Sequence, residues 1–353
     1  MAVYCCVIAG LLALIFANES MGHRTINGNS VANKGIEFCM IALLALVAGL
    51  RYNVGSDYSF YYSNYDWYKT APLELLEEPG INVIARLSSI IYDDPSTMLF
   101  IAAVVTVTLM TVTIFRNSDC YWLSILLYVF LGFWHGCFNG VRQYLASAVL
   151  FAGHNFIRER KLWKWLLIVF IASMFHITGV IGILFYFVPK FKASIKSLVI
   201  ALAAAFVGVR AYDKIFDLIG FLKDDSFELT GAGATYLVNS IKPARIAVAW
   251  VPVIFFFVFK KYYDVDNEKV QFYTNMTLLN ATLMTMAMNS AYLGRVGIYT
   301  GIYNTITWPI LMKKVSPKNR KILIPLMLGL YAIYWSTEAR GVDLVNFHWI
   351  FER

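Results

Sequence analysis

The sequence predicts an all-α, polytopic integral membrane protein, and three observations predict it. Of its 353 residues, 59% are hydrophobic and only 15% are charged, against roughly 25% charged in soluble domains. The mean hydropathy is +0.60. Apolar runs punctuated by charges, Gly or Pro recur along the whole chain, and about 20 such residues make one bilayer crossing. The 26 Phe, 22 Tyr and 9 Trp suit wide aromatic belts at the membrane interfaces. A formal charge of +8 would suggest nucleic acid in a soluble protein. Beside a bilayer it is first a topology signal, and no nucleic-acid partner is expected.

The first apolar run, MAVYCCVIAGLLALIFA, has no Lys or Arg before it and no small-x-small cleavage site, so a retained first helix is expected rather than a signal peptide. Further spans are expected at 36–50, 96–115, 121–135, 139–157, 162–175, 177–189, 197–210, 245–259, 271–290, 298–312 and 322–336. That makes about twelve transmembrane or re-entrant helices in one domain, 1–353, with outer-face loops at 51–95 and 210–245. The stretch 161–189 is too short for two ordinary spans. His176 therefore lies either in a tight turn between two short helices or inside one broken segment. The five cysteines (Cys5, Cys6, Cys39, Cys120, Cys137) are odd in number and without paired CxxC spacing, so neither a disulfide framework nor a zinc site follows.

With the N-terminus outside, the loops 18–35, 116–120, 158–164, 190–196, 260–270 and 313–321 face the cytoplasm and hold 18 Lys/Arg against 6 Asp/Glu. The outer segments 51–95, 210–245, 291–297 and 337–353 hold 11 against 15. This is the asymmetry of the positive-inside rule, and it places both termini outside. The kind of basic residue also changes with the face. Inside, Lys outnumbers Arg 13 to 5; outside, counting Arg142, Arg outnumbers Lys 8 to 4. Lysine suffices as a topology signal, whereas the guanidinium fork suits phosphate or carboxylate held in fixed bidentate geometry. Arg51, Arg142, Arg210, Arg245, Arg295 and Arg340 sit at expected membrane edges, so the outer rim is suited to an anion. Snorkelling to headgroups, or pairing with the outer acids, is the plainer account of any one of them.

No GxxxxGK[ST], HExxH or GxSxG motif is present, so ATP-driven transport, zinc hydrolysis and serine-hydrolase chemistry lack their usual signatures. Four outward segments carry what chemistry there is. In 51–68, Arg51, Asp57 and Asp66 are interleaved with eight aromatics, among them Tyr58 and Tyr61. Such a mixture suits a sugar, whose C–H faces stack while its hydroxyls need fixed partners; it also suits an interfacial belt. Gly55 would let the chain turn back and bring Asp57 near Arg51. In 134–144, Arg142 and Gln143 enter an apolar span, where a charge is costly and by default functional. His176 stands alone among apolar residues, as fitting for a satisfied core as for catalysis. Gly294 to Tyr299 opens a span with Arg295.

The chain resembles the EpsG-like exopolysaccharide polymerases, which are related to Wzy-type O-antigen polymerases. The resemblance rests on the MxxY start, R-Y-x-V-G-x-D-Y-x-x-Y at 51–61, E-P-G-I-N at 78–82, F-N-G-V-R-Q at 138–143, A-S-x-F-H at 172–176 and G-R-x-G-x-Y at 294–299. Gly294 stands where an acid before the arginine would be expected. The resemblance implies a GT-C-like polymerase architecture and a glycosyltransferase of the bacterial inner membrane. Such an enzyme joins undecaprenyl-pyrophosphate-linked oligosaccharide repeats on the outer face, beside a flippase and a chain-length regulator, with no cofactor and no metal. It implies Asp57, His176 and Arg142 as catalytic. It implies Arg51, Tyr58, Tyr61, Gln143, Arg210, Arg245, Arg295 and Tyr299 as binding the pyrophosphate or sugar. A lipid-linked sugar flippase or other secondary transporter, an O-antigen-ligase-like transferase and a structural synthase subunit are the competing classes. A transporter would gather its charges at the midplane, whereas here they gather at the outer ends.

Overall fold

A computed structural model describes residues 1–22, 24–26, 29–211, 240–340, 344 and 346–352. Most of the outer loop 210–245 lies outside the described residues. The protein is an all-α membrane protein; among the described residues the strands are two short antiparallel pairings, Arg24–Ile26 (β1) with Asn29–Val31 (β2) and Arg51–Tyr52 (β3) with His348–Trp349 (β4).

The helices follow from apolar runs and caps. α1 is Ala2–Ser20 and α2 is Lys34–Gly49, the latter capped by the Asn33 side chain, which accepts from the Gly35 amide. Three short helices follow: α3 (Tyr58–Ser63), α4 (Tyr65–Thr70) and α5 (Gly80–Ile91). α6 (Pro95–Asn117) starts with Asp94 as cap and Pro at the first position, where no amide is needed. α7 (Tyr121–Phe130) ends at Gly132, which has φ +88, so the expected span 121–135 is broken there. α8 (Val141–Gly153) and α9 (Leu162–Phe175) come next. α10 (Ile195–Arg210) opens on a Ser194/Ser197 capping box. α11 (Pro243–Val258), α12 (Glu268–Met286), α13 (Asn304–Lys313) and α14 (Pro317–Arg340) complete the order. Among the described residues three helices, α1, α6 and α14, are long and apolar enough to cross a membrane by length and composition.

The chain packs as two compact units. The first is Met1–Tyr186 with Trp308–Arg353, the second Phe187–Thr307. In the first, Tyr58, Tyr61, Tyr65 and Tyr68 point inward with Ile81, Ile84, Met98, Leu99, Val141 and Leu145. Tyr58 and Tyr61 share one face of α3, and Tyr65 and Tyr68 one face of α4; all four are buried in this core. α1 joins this unit through Tyr4, whose ring lies edge-on to Trp134, Trp335 and Phe347. Three loops expected on one membrane face meet at one end. The Ser30 amide donates to the Asp119 carbonyl at 3.0 Å, and the Lys313 ammonium reaches Asn29 Oδ1 at 2.6 Å and Asp119 at 3.5 Å.

The segment 161–189 resolves as a reversal at His176. α9 stops there because His176 is extended, at φ −155 and ψ 125. The chain then returns along α9: Trp165 Nε1 donates to the Gly182 carbonyl at 2.9 Å, and Tyr186 Oη to the Arg160 carbonyl at 3.1 Å.

In the second unit, α12 buries polar side chains rather than a plain apolar stripe. Thr277 donates to Asn304 Oδ1 and shares a hydrogen bond with Thr307, each at 2.8 Å, and Thr300 donates to Asn280 Oδ1 at 2.9 Å. Polar groups in lipid-embedded helices are tolerated when they pair across helices in this way.

Candidate functional site

Four separated motifs meet at one end of the first unit. After α2, the chain leaves through Arg51 and turns at Gly55, whose φ of +97 only glycine adopts freely. A Cβ at Gly55 would lie 2.9 Å from the Phe138 carbonyl, so the 51–57 turn rests directly on the 138–140 turn. The Ser56 amide fastens it by donating to Asn139 Oδ1 at 2.8 Å. Three residues on, Arg142 rises from the first turn of α8.

Arg51 is only 1% exposed. Its Nη1 donates to the Ala48 carbonyl at the end of α2, and its Nη2 reaches the Phe138 carbonyl at 3.5 Å. The guanidinium carbon lies 4.8 Å from the centre of the Phe138 ring, within cation–π range. A helix C-terminus favours a cation, so Arg51 is tied to carbonyls and rings and joins the two turns.

Arg142 is reachable, with 28% of its side chain exposed. Its Nη1 donates to Glu78 Oε2 at 2.7 Å and its Nε to Tyr61 Oη at 3.3 Å. Burial pushes the Tyr61 phenol up, against the pull of Arg142, so the phenol stays protonated and its oxygen serves as acceptor. The other carboxylate oxygen of Glu78 accepts from the Ile177 amide at 2.7 Å and lies 3.4 Å from His176 Nδ1. One carboxylate therefore links the arginine of one motif to the histidine of another. Gly80 makes the approach possible: a Cβ there would lie 2.5 Å from the Phe175 ring and 2.9 Å from the Met174 carbonyl.

Of the residues expected from sequence, Arg142, Tyr61 and His176 come together here. Asp57 begins α3 and accepts from Ser56 Oγ at 3.2 Å; its charge is near enough to work against ionisation of Tyr61. Gln143 is buried beside Arg142 in sequence. Tyr58 is 1% exposed, with its hydroxyl 3.4 Å from Ser96 Oγ. The aromatic surface of 51–68 is instead offered by Phe60 and Trp67, both more than half exposed. Arg210, Arg245, Arg295 and Tyr299 belong to the second unit. There Arg210 lies over the Phe206 ring at 5.3 Å and Tyr299 is buried.

Glu78 is the residue that sequence reasoning passed over. Its signal was present in the E-P-G run: an acid before Pro and Gly, where a short loop must turn sharply. Glu78 has φ +56 and ψ +54, an uncommon conformation for a residue other than Gly, Asn or Asp, and such outliers gather at functional sites.

No curated protein and no solved structure matches the chain. The match that exists covers the very segments that build this site: the EpsG family model spans residues 36–348, from α2 through β4, and the chain belongs to the EpsG family.

Proposed function

We propose that this protein is a membrane exopolysaccharide polymerase of the glycosyltransferase class. It transfers a growing glycan from a polyprenyl-pyrophosphate carrier to a sugar hydroxyl of the next lipid-linked repeat, on the outer face of the bacterial inner membrane. Family membership supports the polymerase reading. The observation that carries the mechanism is the accessible Arg142, paired with Glu78 and gathered with Tyr61 and His176 at one end of a helical unit.

The glycosyl-pyrophosphate bond already holds the energy for transfer, so no nucleotide motif is needed. As the anomeric carbon–oxygen bond breaks, charge builds on the departing pyrophosphate. Arg142 stabilises that charge electrostatically, and a partly dehydrated setting strengthens the effect. His176 takes the proton of the attacking hydroxyl, with Asp57 as a polar contact to the sugar at the mouth of the turn. Arg51 is assigned a positioning role, because it is 1% exposed and each of its Nη atoms reaches a backbone carbonyl. Arg210, Arg245 and Arg295 are assigned to lipid-phosphate contacts of the second unit.

The test is polymer formation by purified protein in bilayers without an ion gradient. The probe is the lipid-linked repeat extracted from cells whose chromosomal copy is deleted. Wild-type protein is expected to make long polymer, and Arg142→Lys and Asp57→Asn to make little. Transport without polymer would point to a flippase. Long polymer from both variants at normal protein levels would remove the assigned roles.

A further inference from the structure

We propose that Glu78 is the positioning residue of this site, setting the tautomer of His176 and stabilising its charged form while holding Arg142. This deepens the proposed transfer reaction and rests on it.

The geometry around His176 is specific. Glu78 Oε1 lies 3.4 Å from Nδ1, and Thr178 Oγ1 lies 3.0 Å from the same nitrogen. The Thr178 amide, at 3.3 Å, would by itself favour an unprotonated Nδ1 and a proton on Nε2. A carboxylate facing Nδ1 reverses that preference, since two lone-pair acceptors repel whereas N–H and carboxylate attract. With the proton on Nδ1, Nε2 is left as the base; which imidazole nitrogen carries the proton is set by the bond the other makes.

The charged and titratable groups around His176 are Glu78, the Arg142 guanidinium bound to it, and the Tyr61 and Tyr68 phenols near Arg142. Among the described residues Asp57 lies near enough to act on Tyr61, and Glu78 is the acid that stands 3.4 Å from the imidazole. Its side chain is only 14% exposed, so its charge is poorly screened. The left-handed backbone at Glu78, followed by Pro79 and the tightly packed Gly80, aims the carboxylate between Arg142 and the 176–178 turn.

The acceptor hydroxyl oxygen bonds to the anomeric carbon and its proton passes to His176 Nε2. The anomeric carbon–oxygen bond to pyrophosphate breaks, and its electron pair leaves with the pyrophosphate beside Arg142. The imidazolium so formed is neutralised by Glu78 and afterwards releases its proton to water.

Glu78→Gln preserves shape but removes the charge and can present an amide N–H to Nδ1. With the extracted lipid-linked repeat as probe, kcat is expected to fall about 100-fold or more while KM changes only a few-fold; loss of the orienting acid of a Ser-His-Asp triad acts through the tautomer in the same way. A neighbouring carboxylate favours the charged imidazole and raises its pKa, so removing it moves the acid limb of the kcat profile to lower pH. In a His176→Asn background, Glu78→Gln should cost far less than in the wild type, the remainder being its hold on Arg142. An unmoved acid limb, or losses that multiply in the double variant, would overturn the proposal. Should Glu78→Gln not accumulate, 15N-histidine spectra of the wild-type protein decide. The resonance missing from His176→Asn must report a neutral Nδ1–H form, and a neutral Nε2–H form overturns it. Absence of polymer from wild-type protein would count against the transfer reaction, and the tautomer reading would still test Glu78.

Discussion

Arg142 shows why a guanidinium, rather than any cation, stands at the head of α8. It donates in two directions at once, through Nη1 to Glu78 and through Nε to Tyr61, and still presents part of its surface outward. A lysine keeps the charge and loses the fork. Arg142→Lys is therefore expected to lower polymer formation about 100-fold, the scale of losing one preorganised donor to a developing oxyanion, with protein abundance little changed on an immunoblot. Gly80 makes a different residue-scale prediction. Gly80→Ala drives a methyl into Phe175 and the Met174 carbonyl, and such overpacking costs about 1–3 kcal/mol. A lower thermal midpoint, with Glu78 displaced and activity lost, is the expected outcome. An unchanged midpoint would mean that α5 and α9 do not approach so closely.

At the scale of elements, α5 is a helix within the expected outer loop 51–95. Its inward face is Ile81, Ile84, Ala85 and Ser88, yet its outward face is also apolar: Val83, Leu87, Ile90 and Ile91 are exposed, the last two by 80% and 70%. Its one charged residue, Arg86, turns back to donate to the Lys69 and Ala71 carbonyls. A helix apolar on both faces belongs in lipid. Spin labels at Leu87 and Ile90 are expected to be reached by oxygen and shielded from a water-soluble relaxant; the opposite ranking would put α5 in water. α12 makes the complementary case, with low hydrophobicity but paired polar groups. Asn304→Leu leaves Thr277 without one acceptor and is expected to cost about 1 kcal/mol, read as a lower unfolding midpoint in detergent.

For the whole molecule, charge distribution predicts topology. The loops around Ser30, Asp119 and Lys313 meet at one end, as loops sharing a membrane face should. In a background freed of its five cysteines, Ser56→Cys is expected to react with an impermeant thiol reagent in intact cells, and Ser316→Cys only after permeabilisation. The reverse pattern would invert the protein and move the site to the cytoplasm. The helical membrane class and the family were legible beforehand, because hydropathy and the local motifs are sums over neighbouring residues; the labelling tests the orientation.

Length and hydropathy determined by themselves that this is an all-α membrane protein, the Lys/Arg asymmetry set the expected orientation, and the motif order pointed to its family. Arg142 likewise stood out in the sequence as a charge at the head of an apolar run, where a charge is costly and by default functional. What only the tertiary structure decided is which residues face one another. Arg51 and Arg142 look alike in sequence, but one is closed in by Phe138 and carbonyls and the other is open. Tyr58 and Tyr61 look like a sugar platform, but helical spacing turns them into the core. The E-P-G run marks Glu78 only as part of a sharp turn; its contacts with His176 and the Ile177 amide lie about a hundred residues away in sequence. Contacts so distant in the chain are set by the packing of α5 against α9, which no local pattern encodes.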